Sequence, residues 1–418
     1  MHTIAIIGSG ISGMGTAHLL HPKHAITLYE KNAVTGGHTR TKIVDYDGVS
    51  IPVDTGFIVY NERNYPNLVG MFKQLSVPTH KSDMSFAATV DGGKFEWCAR
   101  DVNGVFGQRR NLLNPHFYRM LRDVMRFNKK ARAMVDAKPE LTLGGLVQAL
   151  KLGSGFMKNY LLPMGGAIWS SSPTTMLAFP ARTFIQFFEN HGLMAFSGQP
   201  QWYTVTGGSR EYMARLISPF SDRIRTHCAA VSVRRTAEGV LVRDSRGEEL
   251  RYDRVVFASH ADETLAMLSD ATPAEQEILG AFRYQTNEAY LHRDVSVMPK
   301  RKRCWASWVY HANHVGDEPA ISVTYWMNLL QGIDDSKPLF VTLNPYRPIA
   351  PELVFDQHTF THPVFTRESI AAQGRLHEIQ GQNNSWFAGA YTRYGFHEDG
   401  LLSAVNVASS MGEVIPWH

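Results

Sequence analysis

Three cysteines in 418 residues, Cys98, Cys228 and Cys304, are too few and too scattered for a disulfide framework, and without a CxxC pair they offer no metal spacing. That scarcity predicts a reducing, cytoplasmic setting. No uninterrupted apolar run approaches the roughly 20 residues that cross a bilayer. The first apolar stretch runs straight into glycines that a fold requires, which argues against a signal peptide. Charge of one sign is scarce too. Against 42 Lys and Arg stand 38 Asp and Glu, a formal net charge of +4, which by itself gives no footprint for nucleic acid. Neither a Ser/His/Asp order nor a metal cluster stands out, and there is no internal repeat or low-complexity segment.

What is present is a globular composition, 44% hydrophobic and 19% charged, in a chain long enough for two or three domains. Thr3 to Ile7 is a short apolar run suited to a buried parallel strand. It meets Gly8-Ser9-Gly10-Ile11-Ser12-Gly13, then a helical stretch from Met14 to Leu20, then a second apolar run from Ala25 to Tyr29 that ends at Glu30. In this βαβ order Gly8 permits a tight turn, Gly10 lets backbone approach a pyrophosphate, and Gly13 lets helix pack on strand. The helix start at Ile11 and Ser12 supplies partial positive charge, and Glu30 is placed to take both hydroxyls of a ribose. A lone GxGxxG is weak evidence; strand, glycines, helix, strand and acid together are a dinucleotide site.

Further along, Asp47-Gly48 predicts a hairpin between residues 45 and 53. Residues 112 to 197 read as mostly helical, with breaks at Pro139, Gly144-Gly145, Pro163 and Pro180. Residues 229 to 253 alternate as two strands of a meander, and 254 to 258 form another buried strand. Residues 281 to 343 are rich in strand formers and aromatics. Residues 386 to 390 give a last buried strand, followed by a Gly-rich loop and a helix from about Leu401.

The string Glu30-Lys31-Asn32-Ala33-Val34-Thr35-Gly36-Gly37-His38-Thr39-Arg40-Thr41 resembles the second glycine motif of the flavin amine oxidase superfamily, which includes monoamine oxidases, phytoene desaturases and protoporphyrinogen oxidases. The family form has Arg directly after the glycine pair; here His38 stands there and Arg40 follows, which moves the expected phosphate contact to Arg40. Asp54-Thr55-Gly56-Phe57 resembles the segment passing near the flavin, and Val205-Thr206-Gly207-Gly208-Ser209 the "GG" turn before a helix. Val231 lies in the strand that in this family meets adenine through its backbone. Phe387-Ala388-Gly389-Ala390-Tyr391 and Gly395-Phe396-His397-Glu398-Asp399-Gly400-Leu401-Leu402-Ser403-Ala404 resemble the C-terminal flavin motif.

The resemblance implies an α/β fold: a Rossmann-like FAD-binding domain with a mixed-sheet substrate domain and a helical insertion. It divides the chain into a discontinuous FAD domain (1–80, 200–265, 380–418), a β-rich substrate domain (81–110, 266–379) and a helical subdomain (111–199). It implies FAD held by Gly8, Gly10, Ile11, Ser12, Gly13, Glu30, Lys31, Gly37, His38, Arg40, Thr55, Gly56, Phe57, Val231, Gly389, Ala390, Gly400 and Leu401. Members that tether flavin by a thioether carry a Cys in the C-terminal loop. This chain has none after Cys304, so the FAD is expected to be non-covalent.

Asp54 to Asn61, Leu291-His292-Arg293-Asp294, Trp305-Ala306-Ser307-Trp308 and Gly395 to Gly400 resemble, more narrowly, bacterial flavoproteins encoded beside cyclopropane fatty acid synthases. That implies a lipid context and a fatty-acid-modifying methyltransferase as functional partner. Between residues 109 and 132 eight basic side chains face one acid, Asp123, with Leu112, Leu113, Phe117, Met120, Leu121, Met125 and Phe127 interleaved. The segment reads either as a helix lying on anionic lipid or as a solvated face over a core. The stretch from Phe156 to Met194 reads as an apolar tunnel wall or as plain core.

His397, Glu398 and Tyr60 are the candidate catalytic groups, His397 as a general base near neutral pH. Asp54 either approaches the ring or caps a turn. Lys300 and Lys302 lie where many superfamily members place a Lys near the flavin, yet sit in a basic turn. His292 and Asp294 are a polar pair or structural. With one nucleotide fingerprint, no separate NAD(P)H site is expected, and electrons pass from substrate to oxygen or a quinone. The leading expectation is an FAD-dependent dehydrogenase or desaturase of a hydrophobic acyl substrate. An amine oxidase, a flavin-dependent isomerase and a non-catalytic flavin-binding partner of a lipid-modifying enzyme are the alternatives.

Overall fold

The computed structural model describes residues 1–169, 173–194, 198–314 and 319–418. The parts of the expected helical and strand-rich stretches that fall at 170–172, 195–197 and 315–318 lie outside the described residues.

Thr3–Ile7 is buried from Ile4 onward, as an apolar run with no polar alternation requires. It sits at the centre of a five-stranded parallel sheet in the order Ile224–Arg225, Ala25–Tyr29, Thr3–Ile7, Arg254–Phe257, Ser385–Phe387. Residues from the beginning, middle and end of the chain are therefore neighbours in one sheet. The helix Ile11–Leu20 packs on it with all ten residues buried. The final helix, His397–Ser410, lies against that helix, and the contact is close because the facing residues are small. A β-carbon on Gly15 would stand 2.7 Å from Leu401 Cδ1 and 3.2 Å from Ala404 Cβ.

Asp47 and Gly48 take φ of 52° and 86° between Thr41–Tyr46 and Val49–Asp54, the positive pair that a two-residue hairpin needs. Residues 230 to 252 form three antiparallel strands rather than two.

The second layer is a seven-stranded mixed sheet in the order Val354–Val364, Arg283–His292, Phe340–Leu343, Pro319–Trp326, Trp308–His314, Phe86–Val90, Phe95–Cys98. Its one parallel pairing joins Trp308–His314 to Phe86–Val90; the rest are antiparallel. Helices cover one face. Phe117, Phe127, Phe156, Phe184 and Phe188 share a core with Phe86, Tyr310, Val323 and Phe360 of the sheet. Two expected breaks are not breaks. Gly144 and Gly145 lie in the first turn of Leu143–Ala149, capped by Thr142. Pro163 is the second residue of Leu162–Trp169, just after a π turn at Met157–Leu161, where a residue lacking an N–H is tolerated. Among the described residues no helix is long and apolar enough to cross a membrane.

Candidate functional site

The site begins at the turn after Thr3–Ile7. Gly8 has φ +102°, and a β-carbon there would meet Ala258 O at 2.7 Å; one on Gly13 would overlap Gly8 O at 1.8 Å. Gly10 differs. It caps the helix Ile11–Leu20 in extended conformation, and a β-carbon on it would meet no protein atom within 4 Å. No side chain caps that helix and its first turn carries no acid. Its leading N–H groups and positive end are thus left without a side-chain cap beside the open space at Gly10, as anion binding requires.

The second glycine pair closes on the first. Gly36 N donates to Ser9 O at 3.0 Å, and a β-carbon on Gly37 would be 3.2 Å from Gly10 Cα. Glu30 is buried. Its Oε2 accepts from Ser9 N (3.1 Å) and Ser9 Oγ (2.5 Å), and its Oε1 from Asn32 N (2.8 Å). These bonds fix the carboxylate beside the glycine loop. Val231 is skipped where the register of Ala230–Thr236 shifts against Gly239–Asp244, on an edge strand, and is 47% exposed. An open glycine, an uncapped helix start, an oriented acid and an edge-strand residue out of the ladder fit a dinucleotide.

Beyond Gly37 the chain runs antiparallel to the 54–57 segment. Phe57 N donates to His38 O (2.8 Å), Thr55 N to Arg40 O (2.9 Å), and a β-carbon on Gly56 would overlap His38 O at 2.0 Å. The Phe57 ring stacks on His397 with centroids 3.9 Å apart. His397 Nε2 is hydrogen-bonded to Tyr212 OH (2.7 Å), which in turn is bonded to Thr39 Oγ1 (2.5 Å). Gly389 N donates to Ser403 Oγ (2.9 Å), which holds the loop after the last strand to the last helix. These contacts bring Gly10, Gly37, His38, Gly56, Phe57 and His397 together.

Several expected site residues are placed elsewhere. The last helix starts at His397, not near Leu401. Gly400 N already bonds Phe396 O, and Leu401 is buried against the first helix, so neither offers a free N–H; the leading N–H groups are those of residues 397 to 399. Lys31 pairs with Glu263 at 2.6 Å on the surface. Arg40 is committed to Asp356 (2.6 Å) and Thr55 Oγ1 (3.1 Å) instead of standing free for a phosphate. Glu398 belongs to the start of the helix Pro66–Gln74: it accepts from Asn67 N (3.0 Å), Asn67 Nδ2 (2.8 Å) and Leu68 N (3.0 Å). Tyr60 is in an aromatic cluster with Tyr65, Phe72 and Tyr203. Burial pushes the His397 imidazole down to about 3, which makes it a neutral hydrogen-bonding group and not a base poised near neutrality.

Asp54 does the capping job. It is fully buried and accepts from Thr41 Oγ1, Ser209 N and Oγ, and Gln331 Nε2, which fixes the Gly207-Gly208 turn. Lys300 and Lys302 flank Arg301, which pairs with buried Glu96 at 2.7 Å on the outer strand of the large sheet. His292 is buried and bonded to Thr342 Oγ1 (2.8 Å), while Asp294 caps a short 3-10 turn; the pair is structural.

Sequence reasoning missed a group of histidines. His38 packs against Phe360 and His362, both at 4.9 Å between centroids. His362 Nδ1 accepts from Asn287 Nδ2 (2.8 Å), and His260 stacks on Tyr284 (4.2 Å). Burial lowers the pKa of His38, His260, His358 and His362, the last to about 4, so the group is neutral. The one signal was the alternation His358-x-Phe360-x-His362, which sets all three on one face of a strand.

The sequence profile of the family described as flavin containing amine oxidoreductase matches residues 11–286. Among curated proteins no sequence matches. Solved structures do. The CLA-producing fatty acid isomerase from P. acnes superposes with TM-score 0.68 at 13% identity, over 97% of this chain and 98% of that one. Cyclohexylamine oxidase from Brevibacterium oxydans IH-35A gives 0.69 at 14%, over 98% and 99%. A protein described as a protoporphyrinogen oxidase, from Exiguobacterium sp. 255-15, gives 0.67 at 14%, over 98% of each chain. At such identities the likeness is one of fold.

Proposed function

The chain belongs to the flavin-containing amine oxidoreductase family and is an FAD-dependent oxidoreductase, and we propose that its substrate is a hydrophobic acyl chain whose reducing equivalents pass on to oxygen or a quinone. Bound FAD supplies the two-electron acceptor. The N–H groups at Gly10 to Ser12 would hold its pyrophosphate, Glu30 a ribose, the backbone at Val231 the adenine, and the Gly56-Phe57 and Ala390–His397 surfaces its ring.

The shared fold serves a fatty acid isomerase and amine oxidases alike, so the fold does not choose the substrate; the lining does. The helix-covered face of the large sheet is aromatic and aliphatic, with Trp308 stacked on Tyr325 (6.0 Å) above buried Tyr310. An ammonium substrate is received by a free carboxylate or by an aromatic cage. Among the described residues every buried carboxylate accepts at least one hydrogen bond or pairs with an arginine, while Asp123 Oδ1 has no hydrogen-bond partner. Glu30, Asp54 and Glu398 are described above and Glu96 holds Arg301. Asp123 accepts from Gly153 N, Asp244 from Arg246 and Glu248 N, and Asp399 from Phe396 N, while Glu275 pairs with Arg235. The apolar character of the helix-covered face is the observation that carries the reading. The resemblance of the Gly395–Gly400 string supports an unsaturated, methylated or cyclopropanated chain and a methyltransferase as working partner.

The test is anaerobic incubation of the yellow holoprotein with acyl lipids and, separately, with alkylamines. Bleaching of the oxidised flavin band by acyl lipid alone is expected. Bleaching by amine alone overturns the proposal, and lipid conversion without bleaching replaces oxidation by isomerisation.

A further inference from the structure

The long helix Pro115–Ala137 has two separate faces. Phe117, Met120, Val124, Phe127, Ala131 and Val135 are buried in the core beneath it, so these residues are not available to a membrane. Its outer face carries Arg119, Arg122, Arg126, Lys129 and Lys130, all exposed, at the three- and four-residue spacing that lines them up along one side. Asp123, the acid within that run, is buried and held by Gly153 N. Just before the helix a 3-10 turn presents Leu113, 90% exposed, and Leu112, 45% exposed; Tyr118 and Met125 stand exposed beside the basic row.

We propose that this face docks the protein on the surface of a bilayer rich in anionic phospholipid, with Leu112 and Leu113 entering the headgroup layer and the basic row lying over it. The charge is complementary. Five cations along about 16 Å of helix, at 1.5 Å per residue, have the form of an electrostatic contact with phosphate headgroups. The apolar turn adds what a polyanion in solution does not reward, since two adjacent leucines held out in water gain only where there is hydrocarbon to enter. The helix is also the outer wall of the core that the sheet's aromatic face shares, so docking sets the helical layer against the membrane. The inference does not depend on the substrate reading, and its assay uses no turnover.

Holoprotein is sedimented with vesicles of phosphatidylcholine alone and with phosphatidylglycerol added, across a salt series. Expected are binding to the anionic vesicles only, weakening with salt, and a loss of roughly fivefold per cation in Arg119→Glu/Lys129→Glu. Leu112→Ser/Leu113→Ser should lose roughly tenfold. Flavin content and thermal melting report that each variant is folded, and Leu113→Ser alone, at a 90% exposed position, is the fallback where a double variant is not. Indifference of the parent protein to phosphatidylglycerol overturns the proposal, as do folded variants that bind like the parent. Binding to heparin or a polynucleotide without binding to anionic vesicles overturns it in favour of a soluble polyanion.

Discussion

A β-carbon on Gly400 would stand 2.7 Å from Ile11 Cγ2 and 3.0 Å from Ser12 Oγ. The last helix of the chain is thus pressed against the first turn of the first helix, where the dinucleotide's phosphates are to be held. The two ends of the sequence complete one site because Gly400 has no side chain.

Gly400→Val is therefore expected to force the two helices apart. Overpacking of this kind costs about 1–3 kcal/mol, and the displaced part is the pyrophosphate turn. Thermal melting of the 418-residue chain should fall by about 1–3 °C, and the purified protein should carry little flavin by absorbance. Retention of parental melting and full flavin content would show that the helices are not in register there.

Gly10→Ala separates fold from cofactor in the opposite way. Gly10 has φ −66°, which alanine adopts readily, and an added β-carbon meets no protein atom within 4 Å. The apoprotein should melt at or slightly above the parental temperature, gaining about 0.4–1 kcal/mol at most. FAD affinity should fall about tenfold or more, because the methyl occupies the cofactor's space. Equal affinity, measured by flavin fluorescence quenching, would place the pyrophosphate elsewhere.

Glu398→Gln tests a carboxylate that caps the helix Pro66–Gln74. Three donors converge on it, and an amide group turns one acceptor into a donor. The expected cost is about 1–3 kcal/mol of stability, while kcat of the flavin-loaded variant stays within about twofold of the parent. A large kcat loss at unchanged melting temperature would return Glu398 to the chemistry.

Asp54→Asn has a pH signature. Burial raises the Asp54 carboxyl from 3.8 to about 6 in the folded protein. A folded-state pKa above the unfolded one means that the folded form holds the proton more tightly. The group's contribution is therefore fully present below pH 3.8 and is lost as pH rises toward 6, by about 3 kcal/mol. The melting gap between parent and variant should be widest near pH 4 and narrow toward neutrality. A gap that widens with pH would mean that the bonds from Thr41, Ser209 and Gln331 outweigh burial.

The dinucleotide unit was legible because its determinants are local. Gly8, Gly10, Gly13 and Glu30 lie within one βαβ unit, and the backbone conformations they require are set by nearest neighbours. The C-terminal match through Gly389 and Gly400 located the strand and helix that complete the site. Less local properties were not legible. The start of the last helix was expected four residues late because Asp399, which accepts from Phe396 N, reads as loop in an isolated Gly-Phe-His-Glu-Asp-Gly string.

Sequence alone determined that a nucleotide-binding sheet forms, which glycines serve it, and that no thioether cysteine follows Cys304. Only the tertiary structure decided that Glu398 serves a helix 330 residues away, that Arg40 is spent on Asp356, and that His38 meets His362. The physical reason is that a side chain's partner depends on which strands and helices are packed together. Burial then fixes its charge state, and neither is written in the residues beside it.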